Sequence, residues 1–197
     1  MTDENKNQQV SLYETGVIHG RFQIVHLDHL KYLLSGKALC RHLVVGITNP
    51  DPLLTLADPA DPARSLPAAN PLTYYERAVL IRLALGEAGM ALSEFTIVPF
   101  PINRPELYHC YLPLDAVFFL SIYDGWGAKK REFFQKSGLN VCVLRDVPID
   151  QKGISATSVR EAIINSQPWE HLVPESVAAQ MKRWNIPERL KNKILGQ

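Results

Sequence analysis

Gly16-Val17-Ile18-His19-Gly20-Arg21-Phe22-Gln23-Ile24-Val25-His26-Leu27-Asp28-His29-Leu30 reads as a buried strand, a glycine turn and the start of a helix. The apolar run stops at Gly20, and Leu30, Leu33 and Leu34 then recur at helical spacing. Backbone N–H groups at a helix start lack partners within the helix and carry the positive end of its dipole, so such a junction suits a phosphate. Arg21, His26 and His29 add further donors, and two histidines three apart project from one side of a helical turn. H-x-x-H is also half of a zinc site, but the sequence offers no cysteine ligand nearby. Far along the chain, Ile154-Ser155-Ala156-Thr157-Ser158-Val159-Arg160 is a second opening of the same type. Ser155 fits an N-cap, and Arg160 lies about one turn inside, within reach of an anion.

Around these openings strands and helices alternate. His42–Thr48, Phe95–Val98, Asp115–Ser121 and Val141–Leu144 are apolar runs of buried-strand type. The first helix is expected to end near Ser35-Gly36, where glycine stops it. Thr73 with Glu76 forms a capping box for a helix continuing through Leu80, Ile81 and Leu85. Pro99 is read as ending the third strand, Tyr123–Gly127 as a glycine turn, and Ala128–Ser137 as a helix with a basic face. Five strands in this alternation predict an α/β protein with a Rossmann-like, doubly wound, five-stranded parallel sheet and C-terminal helices. Strand order 3-2-1-4-5 sets Gly20–His29 opposite Tyr123–Gly127 across the crevice where the order reverses. Gly20, Phe22, Tyr123 and Asp124 thereby join the candidate nucleotide-binding residues.

Residues 1–12 read as a disordered polar tail, and 13–197 as one domain with a helical extension from about 168. The Pro-, Asp- and Ala-rich stretch Asn49–Pro71, whose one cation is Arg64, reads either as a lid over substrate or as a surface insertion. A net charge of +1 from 21 basic and 20 acidic residues implies no basic face for nucleic acid. No apolar run approaches the roughly 18 residues of a membrane span, and the polar N-terminus resembles no signal peptide. A cytoplasmic location is expected. Cys40, Cys110 and Cys142 are read as buried small apolar residues rather than a disulfide or zinc framework.

G-R-F-Q-x-x-H-x-x-H after the first strand, with I-S-A-T-x-V-R late in the chain, resembles the nucleotidyltransferase superfamily marked by H-x-G-H and I-S-x-T-x-x-R. The likeness is greatest to archaeal-type nicotinamide mononucleotide adenylyltransferases, and extends through Asn70-Pro71-Leu72-Thr73, Pro101-Ile102-Asn103 and Pro168-Trp169-Glu170. The resemblance implies magnesium-dependent attack of an acceptor phosphate oxygen on the α-phosphorus of a nucleoside triphosphate, with pyrophosphate leaving and no protein nucleophile. It makes His26, His29, Arg21 and Arg160 catalytic, and has Ser155, Thr157 and Arg160 hold the outer phosphates. No side chain is assigned as a metal ligand. A homo-oligomer is implied.

Three features depart from that pattern. Asp28 stands where the family has glycine, and could hold the metal, serve as an early-helix anion, or reshape the acceptor site. Tyr108 stands by spacing where a tryptophan stacks on the pyridine ring, joining Asn103 in the acceptor set. Tyr123-Asp124-Gly125-Trp126-Gly127 replaces a short glycine-asparagine turn. The long loop and H-L-D-H also resemble phosphonoformate cytidylyltransferases, which join CTP to a small phosphonate; such an acceptor calls for cations, of which Arg104, Lys129, Lys130 and Arg64 are candidates. Adenylyl transfer to nicotinamide mononucleotide is the first assignment, cytidylyl transfer to a small phosphonate its rival. An inactive nucleotide-binding module, blocked by Asp28, is the alternative of another class.

Overall fold

The computed structural model describes residues 12–52, 66, 69–123, 125–151 and 153–195. Strands β1 (Tyr13–Gly20), β2 (Cys40–Thr48), β3 (Phe95–Phe100), β4 (Val117–Ile122) and β5 (Asn140–Asp146) all pair in parallel, in the order β3-β2-β1-β4-β5. This is the expected doubly wound order, with its reversal between β1 and β4. The helices are α1 (Leu27–Lys37), α2 (Tyr74–Glu87), α3 (Tyr108–Tyr111), α4 (Gly125–Lys136), α5 (Ala156–Ile164), α6 (Glu175–Arg183) and α7 (Ile186–Leu195).

Successive strand residues face opposite sides of a sheet, and this sequence fills both with apolar groups. Ile18, Leu43, Val45, Ile47 and Phe119 pack beneath α1, α2 and the C-terminal helices, against Leu33, Leu80, Val159, Val177 and Leu190. Val17, Val44, Phe118 and Leu120 face the other way, onto Tyr108 of α3 and Phe134 of α4. Because every strand runs in one direction, the loops after β1, β3 and β4 open along one edge of the sheet, which is where ligands bind in such folds.

Three local expectations needed correction. The end of α1 at Lys37 agrees with the one expected near Ser35-Gly36, and a Cβ on Gly36 would stand 3.1 Å from both Ile18 and Phe119, so this glycine also serves close packing against the sheet. Pro99 does not end β3, because β3 is an edge strand and its outer side needs no donor. Gly125 and Gly127 lie inside α4, and a Cβ on Gly127 would meet the backbone of Ile122 at 3.2 Å. Of the cysteines, all free, Cys40 is buried but Cys110 is exposed. The Thr73–Glu76 capping box is present in both directions, with Glu76 N–H to Thr73 Oγ1 at 3.2 Å and Thr73 N–H to Glu76 Oε2 at 2.8 Å. Glu76 also accepts a two-pronged ion pair from Arg189 of α7, at 2.6 and 3.0 Å. Residues 1–11, most of the Asn49–Pro71 stretch with Arg64, and Asp124 lie outside the described residues. Among the described residues, no helix is long and apolar enough to cross a membrane.

Candidate active site

The segment between β1 and α1 turns sharply enough to put Phe22 in the left-handed region, at φ 52°. That is uncommon for a residue with a Cβ and is held by packing: the Phe22 ring is fully buried, lies beneath Gly20, and meets the His29 ring edge-on at 5.0 Å. His26 is the N-cap of α1. Its Nδ1 accepts the N–H of His29 at 3.2 Å, so in the neutral ring the proton sits on Nε2, which becomes the donor. The two imidazoles stack with centroids 3.7 Å apart, His26 buried and His29 half-buried.

Two buried side chains to which the sequence assigned no role, Arg77 and Gln23, hold this turn in place. Arg77, 1% exposed, donates to the carbonyls of Arg21 (2.9 Å), Thr48 (2.8 Å) and Asn49 (2.8 Å). It thereby joins the ends of β1 and β2 to α2, and burial lowers its pKa to about 10. Its signal was present in the sequence: Arg77 shares the helical face of Leu80, Ile81 and Ala84, which is the buried side of α2. Gln23 pairs its amide with the Leu72 backbone in both directions, at 2.9 and 3.1 Å, fixing the entry to α2 against the phosphate-type turn.

The second opening folds onto the first. Ser155 caps α5, accepting the N–H of Ser158 at 3.0 Å. Arg160, 8% exposed, donates through Nη1 to the Gln23 carbonyl and through Nη2 to Thr157 Oγ1 at 3.1 Å. Burial pulls its pKa below the ordinary arginine value, against the pull of Glu161. Asp28 Oδ2 accepts the N–H of Ile154 at 2.7 Å, while Oδ1 takes Lys31 Nζ at 3.1 Å. Segments more than 120 residues apart in sequence are thus joined at two points. Asp28 is turned toward the second opening, with Oδ2 on its Ile154 N–H.

The remaining candidates spread along the same edge. Tyr123 follows β4 and is half-buried, with Arg145 over its ring at 6.0 Å. Asn103 is exposed and Arg104 half-buried beyond β3, with Arg104 Nη1 3.8 Å from Glu106. Tyr108 is 3% exposed; its ring meets Phe100 edge-on at 4.8 Å and its hydroxyl donates to the Ile102 carbonyl at 2.5 Å. Its ring thus belongs to the core and its hydroxyl anchors the loop carrying Asn103 and Arg104. His19, at the end of β1, is buried against Phe100 and Phe134 with no hydrogen-bond partner on either ring nitrogen. Among the described residues, no group of three or more His, Cys, Asp or Glu side chains could hold a metal.

No family model matches the chain. It is 49% identical over 177 residues to the phosphonoformate cytidylyltransferase of Streptomyces viridochromogenes, covering 90% of this chain and 95% of that protein. It is 31% identical over 178 residues to the nicotinamide-nucleotide adenylyltransferase of Thermococcus onnurineus, covering 89% and 86%. Among solved structures, the bifunctional NMN adenylyltransferase/ADP ribose pyrophosphatase from Francisella tularensis, complexed with AMP and manganese, shares the fold. The TM-score is 0.61 at 15% identity, over 92% of this chain and 52% of that one.

Proposed function

We propose that this chain, which belongs to the nucleotidyltransferase family shared by phosphonoformate cytidylyltransferase and the archaeal nicotinamide-nucleotide adenylyltransferases, transfers a cytidylyl group from CTP to a small phosphonate. The nucleotidyltransferase class holds for both sets of relatives; the base and the acceptor are the proposal. The observation that carries it is the identity of 49% to the cytidylyltransferase against 31% to the adenylyltransferase, each over about nine-tenths of the chain. The buried Tyr108 ring supports the same choice, since it meets Phe100 and Phe134 instead of offering an open face to a pyridine.

In the proposed reaction an anionic phosphonate oxygen forms a bond to the α-phosphorus of CTP, the bond from that phosphorus to the bridging oxygen breaks, and pyrophosphate leaves with the electron pair. The nucleophile is already ionised, so no general base is needed. What remains is to hold two anions together and to stabilise charge as it moves toward the leaving group. His26, His29 and Arg21 supply donors at the first opening; Ser155, Thr157 and Arg160 serve the outer phosphates from the second. Arg104, Lys129 and Lys130 are the cations assigned to the acceptor's charge.

Magnesium fits this reaction as part of the substrate. The described residues hold no cluster that would cage the ion, and both Asp28 oxygens already accept protein donors. Magnesium bound through triphosphate oxygens and water needs few protein ligands. Phosphonoformate and nicotinamide mononucleotide, each tested with all four nucleoside triphosphates and scored by pyrophosphate release, decide the assignment. Turnover confined to CTP with the phosphonate is expected; NAD formation without cytidylyl transfer would replace it with the adenylyl reaction.

A further inference from the structure

Asp28 and Gly153 fit each other. The carboxylate Oδ2 lies 2.7 Å from the Ile154 N–H, and a Cβ built on Gly153 would stand 2.2 Å from that same oxygen. Gly153 also has φ +74°, a conformation that side chains with a Cβ rarely adopt. The backbone at 153–154 therefore approaches the carboxylate more closely than any other residue at 153 would allow. The carboxylate is 23% exposed and has its second oxygen on Lys31, and it sits in the first turn of α1, where the helix dipole favours negative charge. Its charge is thus matched on three sides by an amide, an ammonium and a helix end.

We propose that Asp28 is a positioning residue that clamps the turn before α5 against the first turn of α1, so that Ser155, Thr157 and Arg160 are arranged with His26 and His29 for one polyanion before any nucleotide arrives. This rests on the nucleotidyltransferase site described above and adds a role for the residue that departs from the H-x-G-H pattern. The clamp works beside Arg160, whose guanidinium reaches the Gln23 carbonyl from within α5. Arg160 fixes the helix body; Asp28 fixes the chain entering it. With glycine at 28 the Ile154 amide would lack this acceptor, and the turn would order only as phosphate bound, at a cost in affinity.

Two measurements on the whole chain test this independently of the base and acceptor assigned. Hydrogen exchange of the Ile154 amide in the unliganded protein should speed up about tenfold or more in Asp28→Ala, the equivalent of losing one charge-assisted hydrogen bond. Asp28→Asn keeps an acceptor oxygen and should restore most of the protection. Calorimetry with inorganic tripolyphosphate should follow the same order: affinity about tenfold weaker in Asp28→Ala and within about threefold of the parent in Asp28→Asn. In the nucleotidyl-transfer assay the Asp28→Ala change should then fall mainly on KM for the triphosphate. Unchanged Ile154 exchange in Asp28→Ala overturns the clamp. Equal damage from Asn and Ala, relieved by raised magnesium, overturns it in favour of a metal-holding carboxylate. Failure of every acceptor with intact exchange and tripolyphosphate effects would refute the function and leave the clamp standing.

Discussion

The Arg160 guanidinium donates to the carbonyl of Gln23, a residue 137 positions earlier in the chain, so one side chain of α5 is anchored in the turn that follows β1. A group held this way is already oriented, with little side-chain freedom left to lose on binding an anion.

Replacing it should therefore affect turnover strongly. Arg160→Ala is expected to lower kcat/KM for pyrophosphate release by about a hundredfold or more. Arg160→Lys keeps the charge but cannot serve Gln23, Thr157 and a phosphate together, and should recover only part of the loss. Steady-state kinetics of the two variants against the parent settles the point, and parental rates in Arg160→Ala would strike the residue from the site.

Arg77 acts on stability. Its removal leaves the carbonyls of Arg21, Thr48 and Asn49 without the donor they share, and each buried unmatched group costs about 1 kcal/mol or more. Arg77→Met should lose about 2–4 kcal/mol in urea unfolding, with weaker triphosphate binding as the Arg21 segment loosens. A variant as stable as the parent would show that water replaces the guanidinium at no cost.

His19 makes stability depend on pH. Burial first, and Lys130 second, hold its pKa well below the ordinary 6.5, so the folded chain resists a proton that the unfolded chain accepts. The sign follows from linkage: no loss above about pH 6.5, then falling stability as pH drops from there toward the lowered folded value. His19→Leu, similar in volume and without the two unpartnered nitrogens, should flatten that acid limb and gain about 1–3 kcal/mol. Melting temperatures of parent and variant between about pH 5 and 8 give the comparison; parallel curves would show that another group titrates.

Gly16 tests the packing under β1. A Cβ there would stand 2.2 Å from the Phe119 ring and 3.0 Å from Cys40 Sγ, and Phe119 is fully buried. Gly16→Ala should cost about 1–3 kcal/mol by overpacking, and Phe119→Leu on that background should return part of it. Additive effects in the double variant would disprove the clash.

Much of this architecture could be read from residue order. The alternation of Val17 with Ile18 and of Leu43 with Val44 announces a sheet buried on both faces, and the two helix openings are visible in the capping residues His26 and Ser155. What could not be read depends on contacts across the fold. Asp28 met the sequence as a departure from a motif, because its partner is a backbone N–H that no side-chain pattern encodes. Tyr108 enters the acceptor set through the resemblance, by its spacing from Ile102-Asn103, and only packing shows its ring turned onto Phe100. Pro99 looked like a strand end because sequence carries no mark of which strand lies at an edge.

The Glu76 carboxylate is shared between two tasks, opening α2 through Thr73 and receiving Arg189 of α7. The neighbouring Arg77 on α2 closes over the Arg21 carbonyl. Neighbouring residues of α2 thus tie the turn after β1 and the last helix to one element, so that a shift of α7 would be felt at the Arg21 backbone.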